Sequence, residues 1–199
     1  VDEALALLTE YDGKARVTAG GTDLLGVLKS EILADYPEAV INLKTISGLD
    51  SIQADAAGIR IGALSRLAGI ADSPVIKKNC PALALSIASV GSPELRNMGT
   101  IGGNLCQDTR CWYYRYPDKM GGRVSCYRKG KGPCHAIRGD NRYHAVLGGR
   151  KCYAVCPSDP AIALAALEAE GKTVRPAGER AIPLAAFYGT SGPGLEPDG

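Results

Sequence analysis

The 199-residue chain is 45% hydrophobic and 22% charged, with a mean hydropathy of −0.04, which places it with globular domains and away from disordered, collagen-like or membrane compositions. No apolar run approaches the roughly 18 residues that a membrane span needs, and the opening Val1-Asp2-Glu3-Ala4-Leu5 has neither the basic nor the apolar stretch of a secretory leader. The formal charge of +2 conceals two opposed parts: residues 106–156 hold 11 Lys/Arg against 3 Asp/Glu, and the remainder holds 12 against 18.

In chain order, residues 3–8 carry a helical pattern and residues 16–19 a short strand, broken by Gly20-Gly21. Leu24, Leu25, Leu28 and Ile32 share one helix face within residues 22–33, with Thr22 or Asp23 able to cap it. Residues 39–43 form a second strand, and strand, crossover helix and strand in so short a space predict a small parallel sheet. Residues 51–54 and 58–63 alternate around a turn and predict a β-hairpin. Residues 66–90 read as helix interrupted at Ser73-Pro74 and Cys80-Pro81, with Ser92-Pro93 ending it. A glycine pair at Gly102-Gly103 precedes the basic stretch, and a helix over residues 160–168 and a hairpin over 172–184 follow it. The end, residues 192–197, is turn-rich.

Two glycine turns carry the chemistry. Ala19-Gly20-Gly21-Thr22-Asp23 lies between a strand and a helix, where glycine lets a ligand approach the backbone and a helix N-terminus attracts phosphate. The motif is neither a G-x-G-x-x-G nor a Walker loop, and alone it fits an ordinary capped tight turn better than a ligand site. Thr100-Ile101-Gly102-Gly103-Asn104, after Arg96-Asn97-Met98-Gly99, is a second such loop, and two amide-rich loops can clamp the two anionic groups of a diphosphate.

Residues 19–25 and 95–105 together resemble the flavoprotein of the molybdenum hydroxylases, the family of xanthine dehydrogenase, aerobic CO dehydrogenase and 4-hydroxybenzoyl-CoA reductase. Val40-Ile41-Asn42-Leu43, Ile61-Gly62-Ala63 and Ser158-Asp159-Pro160-Ala161 support the match, which covers nearly all of the chain outside residues 106–156. The resemblance implies an α+β FAD-binding domain of the PCMH or vanillyl-alcohol-oxidase type. A small parallel α/β lobe over residues 1–50 and a larger antiparallel sheet lobe with helices over 51–199 would hold FAD between them. It further implies that Val17, Ala19, Gly20, Gly21, Thr22, Asp23 and Leu24 wrap the diphosphate and ribityl, and that Val90 and Gly91 lie on the adenine side. By the same resemblance Thr100, Gly103, Asn104 and Cys106 line the second diphosphate loop and flavin approach, Ser158 and Asp159 take polar groups of the cofactor, and Leu195 packs at the isoalloxazine. The C-terminal domain usual in the family is expected to be absent. No residue need act as acid, base or nucleophile, because the cofactors carry the redox chemistry.

The basic stretch holds six of the seven cysteines and seven of the eleven aromatic residues. Its spacing, Cys106-x4-Cys111-x14-Cys126-x7-Cys134-x17-Cys152-x3-Cys156, contains no C-x-x-C knuckle. On the residues alone an iron–sulfur cluster, zinc and unligated thiols all stay open. Ordering so many residues costs about 1 to 2 kcal/mol each in backbone entropy, which sparse aliphatics hardly offset and a ligated metal can. Within the family, the flavoprotein of 4-hydroxybenzoyl-CoA reductase carries an insert at this place with a [4Fe–4S] cluster. The resemblance implies Cys111, Cys126, Cys134 and Cys152 as its ligands, with Cys156 the rival for the fourth position, because the Cys134–Cys152 spacing is longer than the family's. Cys80 is expected to be a small buried hydrophobe, and His135 and His144 are expected to be surface residues.

The implied function is an FAD-binding electron-transfer subunit, cytoplasmic, partnered by a molybdopterin large subunit, a [2Fe–2S] small subunit and an acidic ferredoxin-like carrier. Neither nucleic acid nor membrane is expected as a partner, although basic charge interleaved with Tyr resembles a base-stacking surface. The alternatives are a xanthine- or CO-dehydrogenase-like subunit whose insert binds zinc or no metal, and a non-enzymatic metal-stabilised binding module.

Overall fold

The computed structural model describes residues 1–33, 35–116, 124–130 and 132–188. Helix α1 (Asp2–Glu10) leads into strand β1 (Ala15–Thr18), helix α2 (Leu24–Lys29) and strand β2 (Ala39–Asn42). As the spacing predicts, β1 and β2 pair in parallel, from Ala15 opposite Ala39 to Thr18 opposite Asn42. Helix α2 is shorter than its apolar pattern, because it closes at Ser30 and Glu31 turns to a left-handed φ of +51°. Ile32 is nevertheless buried, so the apolar face continues past the last helical turn.

Strands β3 (Ile52–Asp55) and β4 (Gly58–Ile61) form the first antiparallel hairpin. Asp55 Oδ1 accepts from the Ala57 amide at 2.8 Å, a local bond that fixes the turn. The proline punctuation then cuts the helical region as the sequence predicts, into α3 (Leu67–Asp72), α4 (Pro74–Asn79) and α5 (Pro81–Ala88). Ser92-Pro93, expected to terminate a helix, instead begins one. Ser92 Oγ accepts from the Leu95 amide at 3.4 Å and Pro93 takes the first position of α6 (Pro93–Met98), where its missing N–H costs nothing.

Helix α7 (Ile101–Leu105) contains the second glycine pair, which was expected as a loop. Thr100 caps it, its hydroxyl accepting from the Gly103 amide at 3.2 Å. Helix α8 (Asp159–Ala166), strands β5 (Glu170–Arg175) and β6 (Gly178–Pro183) and helix α9 (Leu184–Phe187) complete the order. The expected larger antiparallel sheet is, among the described residues, two separate two-stranded hairpins, β3–β4 and β5–β6.

Leu67, Ile70, Ile76, Leu83, Ala84, Ile87 and Ile101 make one apolar core from α3, α4, α5 and α7. Ile52, Ile59 and Ile61 of the first hairpin and Ala163 and Leu164 of α8 pack against it. This core holds α7 against the rest of the fold and so sets one wall of the site. The insert is irregular: its described residues contain only two 3₁₀ turns, Tyr127–Lys129 and His135–Ile137.

Candidate cofactor cleft and cysteine cavity

A cleft of about 1110 Å3 runs from the end of β1 across the first glycine turn to α7, and the insert closes its far side. Val17, Ala19, Gly20, Gly21, Thr22, Asp23 and Leu24 line it, together with Thr100, Gly103 and Cys106. The amides of Gly20, Gly21, Thr22 and Asp23 have no acceptor among the described residues. A row of free N–H groups along a concave wall is chemistry for an anionic group such as a diphosphate, and the cleft is large enough for a dinucleotide.

The two glycine pairs serve different ends. A Cβ at Gly20 would overlap the Met98 carbonyl, so this glycine lets the turn lie on the end of α6, while Gly21 adopts a φ of +74°. In α7, the Ile101 and Gly102 amides are already taken by the Ser65 and Ala63 carbonyls at 3.0 and 2.9 Å. A Cβ at Gly102 would press on Ala63, whereas one at Gly103 would meet only the Thr100 hydroxyl. Gly102 and Gly103 both line the cleft, and Gly103 is the one of the two where an added side chain would not press on Ala63.

The remaining residues implied for the cofactor lie elsewhere or have other partners. Val90 packs against the apolar core, and Gly91 turns the chain into α6 with a φ of +48°. Ser158 caps α8 and donates to Asn104 Oδ1 at 2.6 Å; neither residue lines the cleft, and Asp159 is exposed at the start of α8. Leu195 lies outside the described residues. The sequence reading did not single out Tyr114, Arg128 and Tyr188, all of which line the cleft. The concentration of aromatic and basic residues in the insert points towards Tyr114 and Arg128, and no sequence signal marks Tyr188.

Asp23 is the hinge between cleft and insert. It stands at the start of α2 without capping it. Its Oδ2 accepts from the Asp108 amide at 2.7 Å, and its Oδ1 takes Arg115 at 2.7 Å and Arg110 closer still. Burial works to raise the Asp23 carboxyl, but these hydrogen bonds and the Arg110 charge outweigh it and hold the group below its ordinary value. A depressed carboxyl gives stability that is present above the unfolded value and lost as the pH falls through the folded one. Docking of residues 107–115 should accordingly loosen below pH 3.8, the ordinary value of the group. Asp23→Asn should weaken that docking at neutral pH by about 1.5–3 kcal/mol, as for hydrogen bonds to charged groups. Faster amide exchange confined to residues 107–116 would show it; an unchanged exchange pattern would remove Asp23 from this role.

Beside the cleft lies a small second cavity lined by Cys111, Cys126, Cys134 and Cys152, with Tyr113, Tyr114, Tyr127, Arg128 and His135. Cys156 lines the cofactor cleft instead. Burial pushes the Cys111 thiol up, and the neighbouring Tyr113 and Tyr114 amides partly offset that push. Cys152 Sγ accepts from the Ala154 amide at 3.5 Å. N–H donors aimed at cysteine sulfur are the usual second layer around a thiolate ligand. Thiolates around one tetrahedral zinc, 2.3 Å from the metal, sit about 3.8 Å from one another. Among the described residues no three His, Cys, Asp or Glu side chains are grouped to hold a single ion.

Residues 1–198 match the family described as "FAD binding domain in molybdopterin dehydrogenase". The chain belongs to this family of flavin-binding domains. It is 38% identical over 178 residues to the aldehyde oxidoreductase FAD-binding subunit PaoB of Escherichia coli, covering 87% of this chain and 54% of that protein. That extent cannot be supplied by the residues outside 106–156 alone. It is also 41% identical over 106 residues to the nicotinate dehydrogenase FAD-subunit of Eubacterium barkeri, covering 53% of this chain and 35% of that one. A solved structure of carbon monoxide dehydrogenase from Hydrogenophaga pseudoflava superposes with a TM-score of 0.65 at 26% identity, covering 98% of this chain and 51% of its own. The chain thus spans about half or less of the length of these relatives. No helix among the described residues is long and apolar enough to cross a membrane.

Proposed function

We propose that the chain is the FAD-binding electron-transfer part of a molybdenum-hydroxylase-type oxidoreductase, carrying a [4Fe–4S] cluster on Cys111, Cys126, Cys134 and Cys152 in the manner of 4-hydroxybenzoyl-CoA reductase. The observation that carries this reading is the wall between the two spaces: Tyr114, Arg128 and Cys152 line both the cleft and the cysteine cavity. A flavin in one and a cluster in the other would be separated by a single layer of side chains. Both groups supply electron transfer when bound, and this chain's residues hold and orient them.

Residues 1–50 and 51–199 would be the two lobes around FAD, in the PCMH arrangement. The first glycine turn offers its free amides to the diphosphate, and Gly103 admits the cofactor to the α7 backbone. The positive insert suits an acidic ferredoxin-like carrier, and a molybdopterin subunit with a [2Fe–2S] subunit would hold the substrate chemistry. Thiolate ligation of this kind belongs to a reducing compartment, so the reading places the protein in the cytoplasm.

Anaerobic purification followed by flavin, iron, sulfide and zinc analysis tests the reading. About one FAD with about four iron and four sulfide per chain is expected for one cubane cluster. Zinc without iron and sulfide would remove the cluster and leave a xanthine- or CO-dehydrogenase-like flavoprotein, and a protein without flavin would remove the central assignment.

A further inference from the structure

We propose that His144 is a positioning residue for the cluster, donating a hydrogen bond from Nε2 to the Cys111 thiolate and thereby raising the reduction potential of the cluster. The inference rests on the cluster reading above and deepens it. His144, expected on the surface, is only 8% exposed, and its Nε2 lies 3.2 Å from Cys111 Sγ. The ring is held in place. Trp112 meets it edge-on with centroids 5.3 Å apart, and Tyr113 lies at 6.1 Å on a tilted plane. The backbone is fixed on both sides, by the His144 amide to the Asn141 carbonyl at 2.9 Å and the Ala145 amide to the Tyr153 carbonyl at 2.7 Å.

A ligated sulfur is an acceptor only, so Nε2 is the donor in this contact. Nδ1 is buried without a partner among the described residues. Burying an unsatisfied ring nitrogen is unfavourable, and the contact with sulfur is what the ring obtains in that place. The His144 ring thus sets its Nε2 directly against the Cys111 sulfur.

His144 sits within the long Cys134–Cys152 segment, and that segment delivers an imidazole to a cysteine 33 residues earlier in the chain. Donors to a cluster sulfur stabilise the reduced form more, because reduction adds negative charge there. His135 lines the same cavity but has its Nε2 at 2.6 Å from the Ser125 carbonyl, so it does not serve the sulfur in this way.

Potentiometric titration of the anaerobic protein, read by low-temperature EPR, tests the proposal with three variants. His144→Phe keeps an aromatic ring between Trp112 and Tyr113 but has no donor. It should hold iron and sulfide while shifting the one-electron reduction equilibrium about tenfold towards the oxidised form, a midpoint about 59 mV lower. His144→Leu should shift it in the same direction, and His144→Gln, which keeps an N–H donor, should recover most of the wild-type midpoint. A wild-type midpoint in the Phe and Leu variants overturns the proposal. So does loss of iron in all three variants with the fold intact, since His144 would then be a ligand. A wild-type protein that takes up no iron and sulfide instead overturns the cluster reading itself, so the two failures are distinguishable.

Discussion

Cys111→Ser, Cys126→Ser, Cys134→Ser and Cys152→Ser should each abolish the low-temperature EPR signal of the anaerobically reconstituted, reduced protein, and Cys80→Ser, Cys106→Ser and Cys156→Ser should retain it. The first four share one cavity. Cys80 packs beside the apolar core, and Cys106 and Cys156 face the cofactor cleft. The sharpest comparison is between Cys152 and Cys156, because the two lie four residues apart, both line the cleft, and Cys152 alone of the pair also lines the cysteine cavity. Ligation of both ends of the insert, through Cys111 and Cys152, would tie it shut beside the flavin, and an irregular segment with little apolar burial needs such ties. A signal that survives Cys152→Ser and vanishes in Cys156→Ser would reassign the fourth ligand. A signal untouched by Cys111→Ser would undo the site.

The second large effect concerns the flavin. Gly103→Val should lower FAD affinity at least tenfold, about 1.4 kcal/mol or more, because its side chain would project into the cleft where only the Thr100 hydroxyl now stands near. The apo fold should change little, which equilibrium dialysis and a thermal melt can separate. Gly21→Val is a less clean probe. Its φ of +74° makes any L side chain strained whether or not FAD is bound, by about 1–3 kcal/mol. Gly20→Val would drive a Cβ into the Met98 carbonyl and should unfold the turn outright. Gly26→Ala in α2, where a Cβ meets nothing within 4 Å, is the control and should keep flavin. Stoichiometric FAD in Gly103→Val would mean that the cofactor does not approach α7 at this point.

Much of this architecture was local and therefore legible. The β1–β2 pair, both hairpins and the breaks at Ser73-Pro74 and Cys80-Pro81 follow from apolar period, turn residues and proline chemistry, none of which needs a distant partner. The insert was legible for a different reason: charge, cysteine and aromatic composition change together at residue 106 and back again at residue 156. The glycine turns are recognisable as motifs, and the resemblance alone implies Cys111, Cys126, Cys134 and Cys152 as a group.

What the sequence by itself determined, then, was the local elements and the inventory of chemical groups. The tertiary structure decided how those groups were used. Gly102-Gly103 reads as a loop, yet it folds as helix because the Ser65 and Ala63 carbonyls take the amides of Ile101 and Gly102. Asp23 reads as a helix cap, yet Arg110 and Arg115, 87 and 92 residues away, capture its carboxylate. His144 reads as a surface histidine, yet the fold buries it on Cys111. In each case a side chain or amide had a satisfactory local partner or water available, and a long-range partner displaced it when packing excluded that water. Such competition depends on which segments the core brings together, and no window of sequence contains it.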